Sequence, residues 1–165
     1  MKRFMYFVAV AAVLAIAGFT NEQCAYAQNS SNEATWVDIG LPSGTLWKSK
    51  NEPGLYGYYD ATNRFGKGYL PTEEQWQELS TICQWLWMGR GYKVTGPNGK
   101  SIYLPAKGWF SSNGTTDGVD EYGLYMSAEN NKPGYVGRLY FHMNGRWLGS
   151  SEISTGMSVR LVRQK

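Results

Sequence analysis

Beyond residue 34 the chain holds one stretch with helical period. The rest is short apolar–polar alternation cut every few residues by Gly, Pro or Asn. Pro71-Thr72-Glu73-Glu74-Gln75 offers an N-cap threonine, a glutamine three residues on and two acids for the first turn, a capping box with a favourable dipole. Trp76, Leu79, Ile82, Cys83 and Leu86 then recur on one helical face, and Gly89 and Gly91 supply the stop. One main helix over about 72–88 among many short strands, hairpins and long loops predicts the α+β class. Cys83, on the apolar stripe, reads as a small buried hydrophobe rather than a reactive thiol.

The strand signals are local. Tyr92-Lys93-Val94-Thr95 and Ser101-Ile102-Tyr103-Leu104 flank Gly96-Pro97-Asn98-Gly99, a hairpin with a longer loop. Arg138 to Met143 and Arg146 to Leu148 flank Asn144-Gly145, a two-residue turn whose members both accept positive φ. Val37-Asp38-Ile39, Thr45-Leu46-Trp47 and Met157 to Val162 add shorter strands, the first and last of which can lie side by side.

The first 27 residues read as a signal peptide. Lys2 and Arg3 precede the uncharged run Phe4–Phe19, which is short for a bilayer span, and Ala25-Tyr26-Ala27 suits cleavage before Gln28. Glu22-Gln23 before Cys24 disfavours lipidation there, and cleavage leaves Cys83 without an intramolecular partner. Residues 28–34 are a polar, disordered lead-in, and 35–164 form one domain without linker or repeat. The expected location is therefore extracytoplasmic (secreted, periplasmic or at the cell surface of a Gram-negative bacterium), with no permanent membrane span after cleavage. With 42% hydrophobic and 18% charged residues the chain is not a disordered polyelectrolyte. The net charge is +3, and Lys2, Arg3 and Glu22 of the leader account for one of those charges. That field is too weak to argue for nucleic acid.

Trp36-Val37-Asp38-Ile39-Gly40-Leu41-Pro42-Ser43-Gly44-Thr45-Leu46-Trp47 closely resembles the opening motif of the Fibrobacter succinogenes major paralogous domain family, abundant in Bacteroidetes. Tyr56-Gly57-Tyr58-Tyr59, Leu70-Pro71-Thr72-Glu73-Glu74-Gln75-Trp76, Gly91 to Gly99 with Ser101 to Ala106, Leu139-Tyr140-Phe141 and Ser158-Val159-Arg160 are similar to its later motifs, in order. The resemblance covers roughly 36–163. It implies a C-type-lectin-like fold related to the formylglycine-generating group, with paired N- and C-terminal strands and long loops over one side of a small twisted sheet. Three departures stand out: Lys50 where the family has Cys, Tyr69 where it has Arg, and Met126 where it has Trp.

Catalysis finds little to stand on. His142 is the sole histidine and has no Ser or Cys beside it in sequence, and the paired cysteines of the formylglycine-generating relatives are missing from the mature chain. No enzyme activity and no cofactor are expected. Calcium has weak candidates in Asp120 and Glu121, with Asp117, Asn51-Glu52 and Glu129-Asn130-Asn131 as further oxygen-bearing loops, none matching a calcium-lectin motif. The aromatic loops are the better lead. Trp109-Phe110, Trp147 beside Arg146, and Tyr58 combine flat apolar rings with polar neighbours, which suits sugar rings and suits protein anchors equally. The expected function is a non-catalytic binding module for glycan or protein, the alternative a structural or assembly component of the envelope.

Overall fold

The computed structural model describes residues 34–111, 113–130 and 132–165, so the leader and all but the last residue of the lead-in lie outside the described residues. Among them run β1 (Trp36–Asp38), β2 (Leu46–Lys48), α1 (Tyr58–Phe65), a 3-10 turn (Lys67–Tyr69) and α2 (Glu73–Ile82). Nine further strands follow: β3 (Gln84–Trp87), β4 (Gly91–Thr95), β5 (Ser101–Pro105), β6 (Lys107–Phe110), β7 (Thr116–Val119), β8 (Tyr122–Met126), β9 (Tyr135–His142), β10 (Gly145–Glu152) and β11 (Val162–Arg163). The class is mixed α+β, mostly strand, with one main helix and small, largely antiparallel sheets.

The cap of α2 forms as its sequence dictates. The Thr72 hydroxyl accepts the Gln75 amide at 3.2 Å, and the Gln75 side chain accepts the Thr72 amide at 2.9 Å. Trp76 and Leu79 are buried, but the helix ends at Ile82 rather than near 88, and Cys83 is already extended. Gln84-Trp85-Leu86-Trp87 alternates in burial as a strand. Trp85 and Trp87 turn inward against Tyr92 and Phe141, while Leu86 and Ile82 stay exposed. Two large rings at period two, with β4 available to pair, outweigh the weaker helical spacing. The sequence reading also lacks α1, which buries Tyr58 and Ala61 between Gly57 and a Gly66 at φ 84°.

Three sheets form, in the orders β1-β2-β11, β3-β4-β5 and β10-β9-β8-β6-β7. The expected β4–β5 hairpin is present. The first and last strands share a sheet but do not touch, because both pair with β2. Buried Arg160 ties this end of the chain down, donating to the carbonyls of Lys48 and Tyr103 and to Asn51 Oδ1 at 2.8 Å. In the β9–β10 hairpin the ladder begins at His142–Gly145, so the turn residues are Met143-Asn144, one earlier than expected. Neither adopts positive φ, and His142 Nδ1 accepts the Asn144 amide at 3.1 Å, which stabilises the turn there.

The five-stranded sheet separates two cores. Tyr125, Leu139 and Phe141 point to the first, with Trp47, Trp76, Leu79 and Val94. Leu124, Met126 and Val136 point to the second, with Tyr58, Ala61, Met157 and Val159. Successive side chains of β8 and β9 therefore serve opposite faces. Met126 is fully buried, and its carbonyl accepts the Trp76 indole N–H at 3.2 Å.

Candidate functional site: an open aromatic face

Register builds the site. Across the large sheet Tyr122 pairs with His142, Leu124 with Tyr140, Met126 with Arg138, and Tyr140 in turn with Trp147. Alternation puts Tyr122, Arg138, Tyr140, His142 and Trp147 on one face, where Trp109, Tyr122 and Tyr140 are half-buried against the edge of the second core and Trp147 is exposed. This face carries a row of rings, Trp109–Tyr122 at 5.9 Å between centroids, Tyr122–Tyr140 at 5.9 Å and stacked, and Tyr140–Trp147 at 5.8 Å. His142 fills the angle between Tyr122, Tyr140 and Trp147, 5.1 Å from the last. The spacing follows from strands about 4.8 Å apart, each contributing one ring.

Glycines make the close contacts possible. Gly118, at φ 67°, has no Cβ where one would come within 2.7 Å of both Trp109 and Tyr122. At Gly145 a Cβ would stand 2.9 Å from the Trp147 ring, which folds over that residue toward His142.

At one end the row borders a shallow depression of about 330 Å³, lined among others by Trp109, Tyr140, Arg138, Ser151, Thr155 and Glu152. The Arg138 guanidinium lies over the Tyr140 ring at 5.1 Å, and its Nε donates to Ser151 Oγ at 2.6 Å. Burial lowers the Arg138 pKa from its ordinary value and raises that of Tyr140.

The residues singled out in the sequence divide. Trp109 and Trp147, the latter 50% exposed, stand at the two ends of the aromatic row. Phe110 is exposed next to Trp109 but bonds through its backbone to Gly156, at the edge of another depression lined by Tyr58, Tyr59 and Ile153. Arg146 faces away from the row: it donates to the Ser80 carbonyl at 2.5 Å and covers the Trp85 ring. Tyr58 is corrected outright, since its ring is buried and its hydroxyl donates to the Ala128 carbonyl at 3.0 Å, while Tyr59 is the exposed neighbour. A tyrosine one residue into α1 faces the core at helical period.

Asp120 sits at φ 66° and pairs with Arg90 at 3.5 Å, with Glu121 following it in the turn. Asn51 and Glu52 are engaged by Arg160 and Lys48, and the Glu129 carboxylate accepts the Glu73 amide at 3.0 Å. Asn131 lies outside the described residues. Among the described residues no three His, Cys, Asp or Glu side chains come together as metal ligands. Cys83 is buried, and burial pushes its thiol up to about 11.

Sequence reasoning missed Tyr122, Arg138 and Tyr140. The signal was available in the pattern Arg138-x-Tyr140-x-His142 opposite Trp147, once read as one face of a hairpin. Fold and site thus define an α+β protein with a partly exposed, aromatic sheet face. No family model, curated protein or solved structure matches the chain. Among the described residues no helix is long and apolar enough to cross a membrane.

Proposed function

We propose that the protein is a non-catalytic, extracytoplasmic binding module on a C-type-lectin-like scaffold, and that it recognises a glycan on its open aromatic face. The observation that carries this is the continuous row Trp109–Tyr122–Tyr140–Trp147, three ring-to-ring contacts across strands of one sheet. Sugar rings present C–H faces that stack on such rings while their hydroxyls take hydrogen bonds from the polar rim. The opening motif Trp36–Trp47 and the shared sheet of both chain ends support the scaffold reading. His142 suits a stacking role: its Nδ1 is occupied by the Asn144 amide and its ring is wedged among aromatic neighbours.

A second reading, assembly within the envelope, draws on a different surface. Leu86 and Tyr103 are exposed on either side of Lys93 across β3, β4 and β5, with Met88 exposed at the β3–β4 turn, the kind of apolar patch a protein partner covers. The discriminating experiment is binding of the purified protein to a broad glycan and polysaccharide array, with and without calcium. Saturable binding lost on Trp109→Ala or Trp147→Ala supports the glycan module, and calcium dependence would bring Asp120 and Glu121 into the site. An empty array in both conditions contradicts it and favours assembly, to be followed by co-purification from native membranes.

A further inference from the structure

We propose that the depression beside Tyr140 takes an acidic sugar, a uronate whose carboxylate is held by Arg138. The inference rests on the glycan reading and names the class of sugar. Its basis is a positioned cation without a counter-charge. The Arg138 guanidinium is fixed on two sides, by the Tyr140 ring beneath it and by the Nε bond to Ser151. Its two terminal nitrogens make no hydrogen bond, and no carboxylate lies within 4.0 Å, among the described residues.

The other inward-turned arginines differ. Arg160 has two carbonyls and an amide oxygen for its donors, and Arg146 reaches the Ser80 carbonyl. Burial already disfavours the charge of Arg138, so an arriving carboxylate gains a bidentate, charge-assisted pair that water only partly replaces. Access is open from the edge strand, because Gly149 stands opposite Arg138 and a Cβ there would meet nothing within 4 Å. Glu152 borders the depression but pairs with Tyr135 in the ladder, which puts it in the alternate set of side chains from Arg138. The Ser151 and Thr155 hydroxyls remain for the sugar's own hydroxyls, with Trp109 and Tyr140 for its ring.

The test is calorimetric titration of the full-length protein with polygalacturonate, polyglucuronate and alginate, and with the carboxyl-reduced form of each. At least one free acid is expected to bind about tenfold or more tighter than its reduced form, about 1.4 kcal/mol. Arg138→Gln is expected to bring that ratio close to one, and Arg138→Lys to fall between. Arg90→Gln removes the same charge from an exposed ion pair that does not line the depression and leaves the ratio where it was. Equal binding of acid and reduced forms, lost on Trp147→Ala, overturns the acid inference and leaves the stacking reading standing. A preference that Arg90→Gln lowers as much as Arg138→Gln is general charge attraction and also overturns it. If none of the six polymers binds, the inference falls, and an empty glycan array takes the stacking reading with it.

Discussion

The two faces of the five-stranded sheet use the same kinds of residue for opposite ends. On the inner face the Phe141 ring sits against Gly123 and is ringed by Trp85, Trp87, Tyr92 and Tyr125. The tyrosine hydroxyls there are engaged: Tyr125 donates to the Pro105 carbonyl at 2.8 Å and accepts from Asn51, and Tyr92 donates to the His142 carbonyl at 3.0 Å, while the buried Trp47 indole N–H in the same core has no partner among the described residues. On the outer face the hydroxyls of Tyr122 and Tyr140 and the indole N–H groups of Trp109 and Trp147 make no hydrogen bond among the described residues. Both faces thus pack a core, and the outer one also presents unengaged donors on half-buried rings at the edge of that core. Aromatic content alone does not separate these roles. The satisfaction of the tyrosine hydroxyls does, since, among the described residues, Tyr92 and Tyr125 are bonded on the inner face and Tyr122 and Tyr140 are not on the outer.

That contrast can be broken in order of expected effect on stability. Phe141→Ala should cost about 3–5 kcal/mol, read from the urea midpoint, because a large buried ring leaves a cavity among rigid neighbours. A loss under about 1 kcal/mol would mean that the inner face is loosely packed. Gly123→Ala comes next, at about 1–3 kcal/mol by the same assay, since a Cβ would stand 2.1 Å from Phe141 Cζ. Gly118→Ala should cost about 1 kcal/mol for its positive φ, more if the rings cannot yield, and should weaken glycan binding as Trp109 and Tyr122 part. Unchanged binding would show that the row need not be continuous.

Protonation sharpens the same contrast. Burial raises the Cys83 thiol from 9.0 to about 11 and the Tyr125 hydroxyl from 10.0 to about 12. The folded state therefore keeps protons that the unfolded chain releases, so this stability is complete below about pH 9 and is lost as pH rises through 11 and 12. Urea midpoints at increasing alkaline pH should fall, and Cys83→Ala should make the fall shallower between pH 9 and 11; a flat wild-type profile would contradict it. The smallest effect on stability belongs to Trp147→Ala, within about 0.5 kcal/mol by urea unfolding. Its effect on glycan binding should be about tenfold or more, and a loss of both together would place Trp147 in the core.

Local chemistry was legible and register was not. The capping box at Thr72 and Gln75, the β4–β5 hairpin and the burial of Cys83 depend on neighbours in sequence, and each could be read from the residues. The end of α2 was overrun because Ile82, Cys83 and Leu86 keep a helical spacing that Trp85 and Trp87 override through packing on Phe141. Placing the hairpin turn on Asn144-Gly145 shifts the partner of Trp147 from Tyr140 to His142, yet both lie on the same face. The row therefore survives that error. Tyr58 failed for the opposite reason, since one unrecognised helix turned a supposed loop tyrosine into a core residue. The alignment of Trp109 with Tyr122 depends on a single parallel bridge, Gly108–Gly123, which no local pattern announces.

The central claim is that ligand meets the outer face and nothing else, and the seven tryptophans report on it separately. Indole N–H signals followed by NMR, during titration with the oligosaccharide bound most tightly on the array, should move for Trp109 and Trp147 and stay fixed for Trp47 and Trp76. Shifts confined to Trp85 and Trp87, or to Trp36, would contradict the account and put the binding surface elsewhere on the molecule.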